Sequence, residues 1–230
     1  MPRLPRLIDD GLVYHAINRG NNRQVVFRRD ADFRAFLDAL RKTRERYPFD
    51  LYAYCLMPNH FHLVLAPQRG QSISRILQSL TVAHTWHVHR GRQSSGHVWQ
   101  GRFKSPVIEG DEHLLTVMRY AECNPLRAGL VSDLADWLWS SYRAHVGLED
   151  DDLVSESPVW KQLGADEAKR RAYWKRWLHT PQTEQELAAV RQSVVSGRPY
   201  GTERWVKRMA QRLGVPLLPR PRGRPRKSEK

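Results

Sequence analysis

Cysteine is almost absent. The 230 residues hold only Cys55 and Cys123, too few for a disulfide framework in so long a chain and too few to complete a zinc-finger set. Each reads as a small buried apolar side chain in a reducing compartment. Long apolar runs are missing as well. No stretch approaches the ~20 residues needed to span a bilayer, and residues 1–10 lack the apolar segment of a secretory signal. The expectation is a soluble protein of the cytoplasm, or one associated with the nucleoid, with no membrane partner. Acidic residues are also scarce: 24 Asp and Glu stand against 38 Lys and Arg, a formal charge of +14. Such an excess points to an anionic partner, because neutralising phosphates releases condensed counterions. Nucleic acid is favoured over a membrane surface, since no long basic amphipathic helix with a Trp/Leu face is present. No internal repeat is found.

What is present suffices for a core. About 40% of residues are hydrophobic and 10% aromatic, which excludes a wholly disordered chain. Residues 12–18 form a β-type run ending in the turn cluster Arg19-Gly20-Asn21-Asn22. Residues 30–47 read as a helix, with Phe33, Phe36, Leu37 and Leu40 at helical spacing and Pro48 closing it. A hairpin follows: strand 51–57, the turn Pro58-Asn59, and return strand 60–66. Residues 70–89 are a second helix, 106–108 a fourth strand and 112–124 a third helix, separated by a basic, aromatic loop over 91–105. The order β, α, β, β, α, β, α predicts an α+β fold, a ferredoxin-like antiparallel sheet with helices on one face. A parallel Rossmann sheet is disfavoured, because the hairpin turn is too short for a crossover. Residues 150–158 are acidic and read as a linker, and helices are expected over 167–178, 184–195 and 203–213. Thr183-x-x-Glu186 is a capping-box pattern at the start of the second of these. The tail alternates Pro, Arg and Gly, a composition that does not fold alone. The division is therefore a domain at 1–148, a C-terminal helical extension at 149–218, and a disordered basic tail at 219–230.

Two constellations carry chemistry. In His60-Phe61-His62, strand alternation sends both imidazoles to one face and Phe61 to the other, toward the side of Leu63 and Leu65. Two neutral imidazoles on one face make a metal-binding edge; the plain alternative is two ordinary histidines in a half-buried strand. On the third helix, Leu114, Val117, Met118 and Ala121 form an apolar stripe. Tyr120 and Asn124 stand four residues apart at its border, so they share a face. Pro125 disfavours helical geometry at Asn124, which frees the Asn oxygen to point at a metal. Two imidazoles and one oxygen leave positions for water and phosphate, and suit manganese or magnesium. A phenol, with a pKa near ~10, is a poor nucleophile unless a metal polarises the phosphate it attacks. Tyr120 could then form a phosphotyrosine bond, release a 3′-hydroxyl and let a second DNA end be joined without ATP. The alternative for Tyr120 is an amphipathic residue at a core rim.

Met57-Pro58-Asn59-His60-Phe61-His62, with Tyr120-x-x-x-Asn124-Pro125 some sixty residues on, resembles the HUH single-tyrosine transposases. More closely it is similar to the REP-associated tyrosine transposases of bacterial chromosomes. Tyr14-His15, Asn18-Arg19-Gly20, Trp99-Gln100-Gly101-Arg102-Phe103-Lys104-Ser105 and Ala128-Gly129-Leu130-Val131 extend the match over about residues 12–146. The resemblance implies a ferredoxin-like fold, a divalent metal and a transient phosphotyrosine. It implies a substrate of single-stranded DNA folded as a short imperfect hairpin, a repeated extragenic palindrome flanked by a tetranucleotide. Carried over, His60 and His62 are metal ligands, Asn124 is the third ligand and Tyr120 the nucleophile. Insertion-sequence relatives usually carry Gln at the third ligand, so the shorter Asn124 is a departure. Those relatives form dimers that donate the tyrosine in trans; here a monomer is expected, with the helices of 166–214 covering that surface. Two competitors use the same fold: a catalytically silent DNA-binding or regulatory protein, and a relaxase or replication-initiator-like nicking enzyme. An intact His60, His62, Tyr120 and Asn124 argues against the first. A tyrosine downstream of the histidines argues against the second.

For DNA contact the candidates are Asn18, Arg19, Arg102 and Lys104, on turns near the site, with Trp99 and Phe103 able to stack unpaired bases. The alternative is a solvated loop whose aromatics fold inward. Arg222, Arg224 and Arg226 lie in Pro221-Arg222-Gly223-Arg224-Pro225-Arg226-Lys227, which resembles an AT-hook for a narrow minor groove. A generic basic tail on any phosphate backbone is the other reading. The remaining histidines, among them His15, His84, His87 and His113, are expected to be structural or exposed rather than ligands.

Overall fold

The computed structural model describes residues 11–214. Four antiparallel strands, β1 (Val13–Arg19), β2 (Phe49–Met57), β3 (His60–Pro67) and β4 (Val107–Ile108), form one sheet in the order β2-β3-β1-β4. Helix α1 (Asp30–Arg46) connects β1 to the hairpin, and α2 (Ile73–Arg92) connects the hairpin to β4. This is the expected split arrangement, an α+β, ferredoxin-like sheet. Then follow α3 (Glu112–Glu122), the single turns α4 (Asn124–Arg127) and α5 (Tyr142–His145), and the extension helices α6 (Glu167–His179), α7 (Glu184–Ser196) and α8 (Glu203–Arg212). No helix among the described residues is long and apolar enough to cross a membrane.

Strand alternation divides the interior in two. Tyr14, Ala16, Leu51, Leu56, Phe61, Leu63 and Leu65 face α1 and α2, where Phe33, Phe36, Leu40, Ile76, Leu77 and Leu80 meet them. Val13, Ala53, Val64 and Ala66 point the other way, to Leu114, Val117, Met118 and Ala121 of α3 and to Trp174, Leu178, Leu187 and Val190 of α6 and α7. Helices on one face therefore describes α1 and α2 only. The opposite face is covered too, because α3 offers a second apolar stripe and the sheet is apolar on both sides.

The acidic stretch that reads as a linker is bonded down across α1 and β2. The Tyr54 hydroxyl donates to Asp151 (2.7 Å), Arg44 donates to the Leu153 carbonyl (2.9 Å), and the Ser155 amide donates to the Leu51 carbonyl (2.7 Å). Leu153 is buried in the first core. Composition shows the solvated carboxylates of such a strap but not the one leucine that seats it.

On the other face, the fully buried Glu122 of α3 accepts from Ser141, from His145 Nδ1 (2.6 Å) and from Trp174 Nε1 (2.9 Å). One carboxylate thus joins α3, α5 and α6, with its oxygens fully employed, as burial demands. Thr183 and Glu186 form the predicted capping box of α7. Cys55 and Cys123 are free and buried.

Candidate active site

The site begins with a turn. Pro58 accepts hydrogen bonds from the amides of Val26 and Phe27 (2.9 and 3.0 Å), and Asn59 accepts from the Gly20 amide (2.8 Å). The Met57-Pro58-Asn59 motif therefore pins the loop after β1 to the β2–β3 hairpin. A Cβ at Gly20 would stand 2.2 Å from the Gln24 carbonyl oxygen, so only glycine fits there. Register then sets the side chains: Arg19 pairs with His60, Ile17 with His62 and His15 with Val64. His15, Arg19, His60 and His62 all emerge on the face that α3 covers.

Each histidine of the pair is oriented through one nitrogen. His60 Nδ1 donates to Asn59 Oδ1 (2.6 Å), and His62 Nδ1 shares a hydrogen bond with His15 Nε2 (2.9 Å). That leaves Nε2 of both rings uncommitted among the described residues, and the ring centroids are 5.0 Å apart. A partner at Nδ1 is the usual way to fix the ring of a metal-binding imidazole. Burial, then the charge of Arg19, lowers His60 to about 4; burial, then His60 and His15, pushes His62 well below the ordinary range; burial lowers His15 to about 3. All three are neutral at pH 7, and with Nδ1 of His60 and His62 donating, the Nε2 lone pairs of those two are available for a cation.

Tyr120 comes from α3, whose apolar stripe lies on the sheet. Its ring is 5.8 Å from that of His62 and 5.9 Å from that of His15, both edge-on. Tyrosine and histidines thus meet within one chain. Asn124 falls beyond the end of α3, at the first position of α4, where Pro125 follows. Its Nδ2 donates to the carbonyls of Tyr120 (3.0 Å) and Ala121 (3.1 Å), and its oxygen takes no hydrogen bond from the described residues. The helix breaks at Cys123, one residue before the position where Pro125 disfavours helix, and Asn124 itself opens the new turn α4. The two imidazole nitrogens could hold a cation, and the Asn124 oxygen is also uncommitted among the described residues.

The other candidates are placed unevenly. Arg19 is exposed beside His60, Arg102 and Lys104 are exposed, and Lys104 donates to the Val195 carbonyl of α7 (3.3 Å). Asn18 is buried, its oxygen accepting from the Arg19 amide. Trp99 was expected to offer its face to a base. Its ring instead packs in the first core, 5.3 Å from Phe61, with the indole N–H donated to the Thr81 carbonyl (3.2 Å), and Phe103 lies partly buried against the same core. Burying ~200 Å² of indole outweighs its exposure. Arg222, Arg224 and Arg226 lie outside the described residues.

Sequence reasoning missed His15 and Arg127. His15 shares the parity of Arg19 along β1 and stands diagonal to His62, a signal available once the register is known. The Arg127 guanidinium lies over the Tyr120 ring, 4.5 Å from its centroid. Elsewhere, ligand atoms of Glu109, Asp111 and His113 lie within 4.8 Å of one another and could hold a metal ion. Two of these already serve the fold: Asp111 caps α3 through the His113 amide (2.9 Å), and Glu109 accepts from the Thr202 amide (2.6 Å) at the start of α8.

Comparisons with known proteins agree on one family. Residues 10–124 match the family described as "Transposase IS200 like". A Haemophilus influenzae protein assigned to the REP-associated tyrosine transposases is 28% identical over 124 residues, covering 50% of this chain and 70% of that protein. The REP-associated tyrosine transposase of Escherichia coli K12 is 22% identical over 142 residues, covering 60% and 81%. The solved structure of a REP-associated tyrosine transposase bound to a REP hairpin superposes with a TM-score of 0.54 at 19% identity, over 68% of this chain and 98% of that one. At that identity the likeness is one of fold.

Proposed function

Because the chain belongs to the IS200-like transposase family, a family of DNA-cleaving enzymes, we propose that it cuts and rejoins single-stranded DNA hairpins of the REP type through a covalent phosphotyrosine. The observation that carries this is the meeting of the Tyr120 ring with His15 and His62 at under 6 Å, beside two imidazoles whose Nε2 atoms are uncommitted. The hairpin substrate is suggested by the relative solved with a REP hairpin and by the net charge of +14.

In this reading His60, His62 and Asn124 would hold a magnesium or manganese ion, which would withdraw charge from the scissile phosphorus. Tyr120 attacks that phosphorus, the phenol proton is lost, a phosphotyrosine bond forms, and the 3′-oxygen leaves as a hydroxyl. Attack by another 3′-hydroxyl reverses the step and joins the new end. His15 keeps His62 in one tautomer and orientation. Arg19, Arg102 and Lys104 hold backbone phosphates. The division at 1–148, 149–218 and 219–230 belongs to the same proposal, and so does a monomeric state: α6 and α7 cover the α3 face that a partner would otherwise use.

The test uses labelled single-stranded hairpins copied from the DNA flanking the gene, with manganese or magnesium. Wild-type protein yields a covalent protein–DNA adduct; Tyr120→Phe, or a chelator, abolishes it. Tight hairpin binding with no adduct under any of these conditions would instead establish a silent DNA-binding protein.

A further inference from the structure

Arg127 is the unexplained charge at this site. It is half-buried on α4, and burial opposes its charge. Around its charge stand the neutral thiols of Cys123 and Cys55, the Tyr120 phenol and the Arg191 guanidinium, and it forms no salt bridge with a carboxylate among the described residues. Its hydrogen bonds go to two places. One terminal nitrogen donates to the main-chain carbonyl of Tyr120, and the other to Gln182 Oε1 (2.6 Å). The plane of the group lies over the Tyr120 ring at 4.5 Å. Gln182 belongs to the loop between α6 and α7, in the extension. Its own Nε2 is buried with no partner among the described residues.

Burying a guanidinium without a carboxylate is costly. A solvated position is one rotamer away for most arginines, and here two anchors and a ring face prevent it. Holding a nucleophile by both its ring and its carbonyl leaves little freedom at χ1 and χ2, the torsions that aim the phenol oxygen.

We infer that Arg127 is a positioning residue for Tyr120, and that Gln182 holds Arg127 in place, so that the C-terminal extension forms a working part of the active centre. The inference rests on Tyr120 being the nucleophile. It assigns the extension a role in the reaction step rather than in hairpin affinity, because neither Arg127 nor Gln182 need touch the hairpin stem.

The experiment measures two quantities on the full chain: the single-turnover rate of adduct formation at saturating hairpin with manganese, and hairpin affinity by fluorescence anisotropy with chelator. Gln182→Ala slows adduct formation about 10-fold, and Arg127→Gln about 100-fold, as expected when a reacting group loses its aim. Affinity and thermal midpoint of Gln182→Ala stay near wild type. Gln182→Glu, whose carboxylate accepts the same hydrogen bond, restores the rate. Should Arg127→Gln fail to fold, the Gln182 pair carries the test alone. A wild-type rate in Gln182→Ala, an equal loss of rate and affinity, or a rate that Gln182→Glu leaves unrestored overturns the inference while Tyr120 chemistry stands. A wild-type protein that forms no adduct on any flanking hairpin removes the reading of Tyr120 itself, and this inference with it.

Discussion

The two faces of the sheet are built from the same strands and do different work. On β3, Phe61, Leu63 and Leu65 turn to α1 and α2, while His60, His62 and Val64 turn to α3. The first face is aromatic and aliphatic; the buried imidazole of His84 sits among Phe27, Phe36 and Trp99, with no hydrogen-bond partner for either nitrogen among the described residues. The second face sets bonded polar groups into its apolar cover: His15 to His62, Glu122 to Ser141, His145 and Trp174, Arg127 to Gln182. One face supplies stiffness and the other uses it. Side chains on a strand whose alternate residues are locked in a core cannot drift.

The sharpest test of that contrast lies at neighbouring positions. His62→Ala should abolish metal-dependent adduct formation, a loss of at least about 1,000-fold, with folding retained. Phe61→Ala, one residue away, should cost about 3–5 kcal/mol of stability, read as a fall in the denaturation midpoint. If His62→Ala destabilises as much as Phe61→Ala, the two faces do not divide the labour.

Acidification should weaken both faces. His15 and His84, held neutral by burial, are lowered to about 3. An unfolded imidazole takes up its proton near ~6.5. Between these values the unfolded chain binds the extra protons, so stability falls as pH drops from about 6.5 toward 3, by roughly 2 kcal/mol per residue at pH 5. Urea melts at pH 7 and pH 5 measure the difference. His84→Leu should remove its share and leave a shallower pH slope; an unchanged slope would mean that His84 titrates normally in the folded protein.

The strap over the first face gives a smaller effect. Asp151→Ala removes the acceptor of Tyr54 and should cost about 1–2 kcal/mol, without touching the adduct rate at saturating hairpin. A rate loss there would tie the strap to the site. The smallest expected effect is on assembly: light scattering should give the mass of one chain with or without hairpin, because the second face already has its cover. A stable dimer would show that α6 and α7 do not replace a partner.

Much of the fold was legible in local pattern. Phe33, Phe36 and Leu40 mark α1, the short Pro58-Asn59 turn forces antiparallel pairing, Thr183 and Glu186 cap α7, and alternation alone separates Phe61 from His60 and His62. The Tyr120 and Asn124 pair was legible through its four-residue spacing and Pro125. Trp99 misled, since an aromatic in a basic loop reads equally as a stacking platform or as a core residue, and only its contact with Phe61 decides.

By itself, then, the sequence determined whatever depends on periodicity, chain stiffness and charge: the elements, the face each side chain takes, the break after α3, and the excess of positive charge that calls for an anionic partner. The tertiary structure alone decided what depends on groups far apart in the chain. His15 reaches His62 across 47 residues, Arg127 meets Gln182 across 55, and Trp174 reaches Glu122 across 52. Such pairs leave no local trace, because each partner satisfies its polar atoms through the other and its own sequence neighbours need not respond.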